Sequence, residues 1–140
     1  MLPFLIDMAR LYEIFVAEWL KVHLPYPFRL KVQERVIIGP DKAVRFDIDL
    51  VLYDVETGGA RFVLDTKYKK SLTPASDDIA QVVAYAEAKN CHDAVLIYPT
   101  PLTESLDVWV GDNRVRSLSF SIEGDLDEAG NKFIENLLMS

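Results

Sequence analysis

The apolar positions of this chain change period several times, and each change marks an element. From Phe4 to about Val22, Met8, Leu11, Tyr12, Phe15, Val16, Trp19 and Leu20 recur at three- and four-residue intervals, the spacing of one helical face. The two prolines of "HLPYPF" close that helix, because proline cannot continue the hydrogen-bond ladder. The period then falls to two. "FRLKVQERVIIG" alternates through Phe28, Leu30 and Val32 and stops at Gly39-Pro40-Asp41, a turn. "AVRFDIDLVLY" alternates more strictly, with Val44, Phe46, Ile48, Leu50 and Leu52 on one face. "DVETGGA" turns the chain into a third strand, Arg61 to about Tyr68. After the loop "SLTPAS" the helical spacing returns, with Ile79, Val82, Val83 and Ala86 as the stripe of a helix reaching about Asn90. Ser76 is placed to cap it, and Asp77 and Asp78 fall in the first turn, where negative charge meets the positive end of the helix dipole. "DAVLIYP" reads as a buried strand bounded by Pro99. Two shorter strands, "SLDVWV" and "RVRSLSFSI", meet at Gly111-Asp112-Asn113, and a last helix covers about Leu126 to Leu138.

This order predicts one α/β domain over residues 1–140, with a sheet covered by helices. A chain of 140 residues buries roughly two-thirds of its unfolded surface, and a composition half hydrophobic and a quarter charged is that of a folded protein. No apolar run approaches the ~20 residues that span a bilayer. The N-terminal stretch lacks a basic region and carries Asp7 and Glu13 early, so it does not read as a secretory signal. A single cysteine, Cys91, excludes an internal disulfide and fits a reducing, cytoplasmic setting. The net charge of −7 is unevenly spread: residues 1–76 hold 11 Lys and Arg against 10 Asp and Glu, and residues 77–140 hold 4 against 12. An acidic chain disfavours strong nonspecific binding to nucleic acid, which depends on neutralising phosphates. Basic residues set beside clustered carboxylates in the first half, however, are the mixture expected of a metal site acting on phosphates.

The chemistry concentrates at a few positions. Asp47 and Asp49 alternate with apolar residues, and either by itself would simply face water. Asp65 and Lys67, two apart in the third strand, share a face. The hairpin sets the second and third strands side by side, so Asp47 or Asp49 can stand next to Asp65. Neighbouring carboxylates repel unless a cation lies between them. Hard oxygen ligands suit Mg²⁺ or Mn²⁺, and a lysine on the same face can orient a water or stabilise charge on a phosphoryl oxygen. Glu13 sits at the edge of the first apolar stripe beside Ala9, Arg10, Val16 and Ala17; it is either a surface residue paired with Arg10 or a residue pointing into a cleft. Gln81 and Tyr85, four apart, make a polar-aromatic ridge with Asp78 nearby, either solvated or set to support the lysine.

Taken together, Glu13 in "RLYEIFVAEWL", Asp47 in "RFDIDL", Asp65-Thr66-Lys67 in "LDTKYKK", and Gln81 with Tyr85 in "DIAQVVAYAEA" resemble the PD-(D/E)xK nuclease superfamily. The resemblance runs from about residue 8 to residue 98 and is greatest to the nuclease domains of the McrC family, cleavage subunits of methylcytosine-dependent restriction systems. It implies a restriction-endonuclease-like αβββαβ core with a central mixed sheet flanked by helices, extended here by a C-terminal ββα segment. It also implies a Mg²⁺-dependent DNA endonuclease, with Mn²⁺ able to substitute. Asp47 and Asp65 would hold the metal with the backbone carbonyl of Thr66, and Lys67 would position or help deprotonate the attacking water. Glu13 would hold a second metal or a metal-bound water, and Gln81 and Tyr85 would order Lys67 or the scissile phosphate. Arg10, Arg45, Lys69 and Lys70 would contact phosphates of double-stranded DNA. Phe46 replaces the proline usual before the strand-two aspartate, so Asp49 stands as the alternative to Asp47. McrC-like proteins also carry an N-terminal region that joins a nucleotide-hydrolysing motor. This chain starts close to the nuclease helix, as an excised domain or a short standalone relative would. A motor partner and a homodimer on DNA are implied by the resemblance alone. The competing expectation is a nuclease-like fold used as a binding or regulatory module within an assembly.

Overall fold

Among residues 7–41, 44–69 and 73–139, which the computed structural model describes, the alternating and helical stretches fold in the expected order. Helix α1 (Met8–His23) begins behind Asp7, whose side chain accepts a hydrogen bond from the Arg10 amide at 3.1 Å. The expected start at Phe4 lies outside the described residues. Strands β1 (Phe28–Ile38), β2 (Val44–Asp54) and β3 (Ala60–Thr66) form an antiparallel meander. Helix α2 (Ser76–Ala88) crosses to β4 (Asp93–Tyr98), and β5 (Asp107–Val110), β6 (Asn113–Ser119) and α3 (Leu126–Leu138) follow. The sheet order is β1-β2-β3-β4-β6-β5, with β3, β4 and β6 mutually parallel. The C-terminal ββα segment is thus part of the same sheet: β6 inserts between β4 and β5.

Each face of the sheet carries its own core. On one, Tyr12, Val16 and Leu20 of α1 and Phe133 and Leu137 of α3 pack on Leu50, Leu52, Leu64 and Phe120. On the other, Val82 and Ala86 of α2 pack on Val51, Val63, Ala94 and Leu96. Strand β4 feeds both, with Val95 and Ile97 to the first and Ala94, Leu96 and Tyr98 to the second, which is why its sequence is apolar without alternation. The α3–α1 contact depends on Gly130, where a Cβ would stand 2.3 Å from the Trp19 ring. Arg116, buried under the end of α3, donates to the Asn136 and Leu137 carbonyls at 3.0 and 2.9 Å and so satisfies acceptors that a helix end leaves open. No helix of the described residues is long and apolar enough to cross a membrane.

Two local expectations are corrected. Ser76 is the first helical residue of α2, not its cap; Ala75 occupies the cap and offers no side-chain acceptor, leaving Asp77 and Asp78 to meet the dipole. The apolar residues of β2 do not share one face either. Leu50 and Leu52 join the α1 core, whereas Ile48 and Phe46 pack with the α2 core and Val44 is exposed. The change falls at Asp49, opposite Gln33, which takes a positive φ of 50° and drops out of the otherwise continuous β1–β2 register. Beside it, the β2–β3 ladder ends at Leu50↔Leu64 while β2 continues with β1 to Val44. The strands part there, and the gap between them is where the acidic residues collect.

Candidate active site

Asp65 and Thr66 end β3 on the floor of this gap. The Thr66 amide, released from the ladder, donates instead to Asp49 Oδ2 at 3.1 Å, and the Thr66 hydroxyl donates to the same oxygen at 3.2 Å. Asp49 is thereby fixed beside Asp65, which is only 3% exposed. Burial first, then the adjacent Asp49 carboxylate, push the Asp65 carboxyl up to about 7, against the lowering influence of Lys67. Asp65 Oδ2 is buried without a well-directed hydrogen bond, although Lys67 Nζ lies 2.9 Å away.

Lys67 follows from β4 as much as from β3: its amide donates to the Ile97 carbonyl at 2.8 Å, anchoring the backbone just past the strand end. Its ammonium reaches Asp65, donates to Gln81 Oε1 at 3.1 Å and lies 3.6 Å from Asp78 Oδ1. Partial burial would lower its pKa, but the close contact with Asp65 and the charges of Asp65, Asp78 and Asp49 outweigh that and raise it. Lys67 is therefore a cation at neutral pH. Asp78 also accepts from Lys69 Nζ at 2.6 Å.

Glu13 closes the site from α1. Both readings of this residue meet in the structure: Arg10 Nη1 pairs with it at 2.5 Å, yet its side chain is largely buried and Gln33 Nε2 donates to the same oxygen. Desolvation and the neighbouring Asp49 raise its pKa, while Gln33 and Arg10 oppose the rise. The inverted backbone of Gln33 thus has a visible consequence, an amide donor turned toward an acidic residue across the gap.

The expected site residues sort as follows. Glu13, Asp65, Thr66, Lys67 and Gln81 gather here around Asp49. Asp47 does not: it is exposed and pairs with Arg35 Nε at 3.2 Å, on the hairpin arm beyond the gap. Asp49, not Asp47, is the aspartate that β2 brings to Asp65. Tyr85, placed on a polar ridge from the sequence, is buried and stacks on Phe46 with ring centres 5.0 Å apart, yet it borders the cluster: burial, then the Asp65 and Asp49 charges, raise its phenol pKa and Lys67 opposes them. Lys70 lies outside the described residues. Gln33 had no assigned part; its only sequence signal is that "QER" interrupts the alternation of Phe28, Leu30 and Val32. Nor was the paired hold of Asp78 on Lys67 and Lys69 legible, since it depends on where α2 docks.

Whether this set suits a divalent cation is decided by its donors. Asp49 and Asp65 are adjacent hard oxygen donors that share one ammonium, Lys67, and one buried oxygen of Asp65 lacks a directed hydrogen bond. Among the described residues no three His, Cys, Asp or Glu side chains close into a preformed cage. Mg²⁺ keeps much of its water and binds through one or two carboxylates, and Asp49 and Asp65 are donors of that kind.

A mixed six-stranded α/β sheet flanked by helices, with an acid–acid–lysine cluster where two strands part, is compatible with a restriction-endonuclease-like core. Residues 1–99 match the family described as the McrBC 5-methylcytosine restriction system component, and the chain belongs to that family. The match spans α1 through β4 and holds every residue of the cluster. No curated protein matches the chain.

Proposed function

We propose that the chain is a metal-dependent DNA endonuclease domain, the phosphodiester-cleaving module of its restriction system. The observation that carries the reading is the meeting of Asp49, Asp65 and Lys67 at the parted ends of β2 and β3, with Glu13 facing them. Asp49 and Asp65 would hold Mg²⁺, or Mn²⁺ in its place, with the Thr66 carbonyl as a further ligand. When bound, the ion supplies Lewis-acid polarisation of a phosphoryl oxygen and lowers the pKa of water at the site. Thr66 fixes the orientation of Asp49 through two hydrogen bonds, so little reorganisation is left for the moment of reaction. Lys67, held protonated, is suited to orient a water by donating to it and to stabilise negative charge gathering on the phosphoryl group, rather than to serve as a free base. Gln81 keeps the ammonium in place, and Glu13 would share the cation or orient a water from the opposite wall. Arg10 and Arg45, both exposed, would contact DNA phosphates outside the gap.

The test is cleavage of plasmid DNA in Mg²⁺ or Mn²⁺ by the wild type and by Lys67→Ala, Asp65→Ala and Asp49→Asn, with the motor subunit of the system supplied. Wild-type cleavage lost in all three variants is expected. Cleavage that survives them unchanged would falsify the assignment.

A further inference from the structure

Lys67 is the present counter-ion of Asp65, and it occupies the side of that carboxylate where Oδ2 lies. Its ammonium is 2.9 Å from Asp65 Oδ2, the oxygen left without a directed hydrogen bond. An ammonium and a divalent cation on one carboxylate repel each other, so occupation of the Asp49–Asp65 pair is favoured when Lys67 draws back. Two other acceptors lie within reach of the same ammonium. Gln81 Oε1, at 3.1 Å, is neutral; Asp78 Oδ1, at 3.6 Å, carries the charge. Asp78 is also a fixed acceptor: its other oxygen is held by Lys69 at 2.6 Å, and its side chain is only 14% exposed, so water screens it weakly.

We propose that Asp78 is a positioning residue that draws Lys67 away from Asp65 and thereby sets how readily a divalent cation occupies the Asp49–Asp65 pair. This rests on the functional reading above, and it assigns to α2 a part in metal loading distinct from the hold of Gln81. Charge at the start of α2 is the bland alternative, and the chain contains its own control. Asp77 precedes Asp78 in the same first turn and faces the same dipole, but it is exposed and pairs with neither lysine.

The experiment is a calorimetric titration of the 140-residue chain with Mn²⁺, without DNA. Asp78→Asn is expected to weaken Mn²⁺ binding by about fivefold, the lower end of the usual coupling between two sites. Asp77→Asn should leave it where it was. Lys67→Met removes the competitor and should tighten binding, and in that background Asp78→Asn should have little further effect. A loss on Asp78→Asn that is the same with and without Lys67 would mean simple through-space attraction and would overturn the proposal, as would no loss at all. Wild-type binding that Asp49→Asn abolishes but Asp78→Asn leaves unmoved defeats this proposal and spares the functional reading. No Mn²⁺ binding by the wild type defeats both.

Discussion

Asp47 and Asp49 sit one pleat apart on the same strand, yet one reaches out to Arg35 on the hairpin arm and the other is gripped by Thr66 beside Asp65. Their substitutions should therefore separate cleanly. On the proposed function, Asp49→Asn removes a charge from the pair that would hold the cation and is expected to lower DNA cleavage by at least the roughly 10- to 100-fold that loss of a metal site's outer partners costs. Asp47→Asn breaks only an exposed ion pair, of a kind worth about 0–1 kcal/mol, and should leave cleavage unchanged. Equal losses in a side-by-side assay would return the ligand role to Asp47. Asp65 allows a second prediction that needs no DNA. Its native pKa of about 7 lies above the ordinary carboxylate value, so the folded state holds the proton more tightly than the unfolded chain. The stabilisation is complete below about pH 4 and is lost as pH rises through 7. Asp65→Asn mimics the protonated carboxyl and leaves Lys67 with Gln81 and Asp78. In metal-free buffer its Tm should exceed that of the wild type by a margin that widens between pH 5 and pH 8. Mn²⁺ should narrow that margin for the wild type, and a margin flat across this range would mean that Asp65 is ionised throughout.

Elements were legible where one physical rule governed them. The stripe of α1, the two-sided burial of β4 and the span of α3 follow from period and from whether one face or both must be covered. Strand β2 escaped that logic, because its change of face is set by a neighbour: Gln33 adopts a positive φ that its own side chain does not favour, held by a contact with Glu13 on α1. The cap of α2 escaped for a smaller reason, a one-residue shift that moved Ser76 into the helix. At the site, the identities of Glu13, Asp65, Lys67 and Gln81 were readable from residue type and order, whereas the choice of Asp49 required knowing where the β2–β3 ladder stops. Packing between elements gives its own prediction. In an open helix, Gly→Ala stabilises by up to about 1 kcal/mol. At Gly130 the added methyl would collide with the buried Trp19 ring, which Asp127 also holds by a 3.0 Å hydrogen bond. Overpacking of about 1–3 kcal/mol should win, so Gly130→Ala is expected to lower stability in urea unfolding, and Trp19→Phe should shrink the cost by emptying part of the space. A stabilised Gly130→Ala variant would mean that α3 shifts freely on α1.

At the scale of the molecule, the family match stops at residue 99, just past β4, but the sheet and the α1 layer do not. Strand β6 pairs with β4 in parallel from Asp93↔Arg114 to Tyr98↔Ser119, and Phe120, Phe133 and Leu137 complete the layer that buries α1. The site depends on that support at one remove, because Lys67 takes its backbone position from the Ile97 carbonyl of β4. Residues 100–140 should therefore be needed for folding as well as for the site's geometry. Each of the three fully buried side chains is worth about 1.5–3 kcal/mol of burial, and together they approach the whole stability of a domain, about 5–15 kcal/mol. The edge of β4 would in addition be left as a row of unpaired amides and carbonyls beside exposed Val95 and Ile97. A chain cut to residues 1–99 is expected to be unfolded or aggregated by circular dichroism and size-exclusion chromatography, and to bind no Mn²⁺ through Asp49 and Asp65. A monomeric 1–99 chain that unfolds cooperatively in urea and still binds Mn²⁺ would show that α1 through β4 fold and form the cation site without the C-terminal strands and helix.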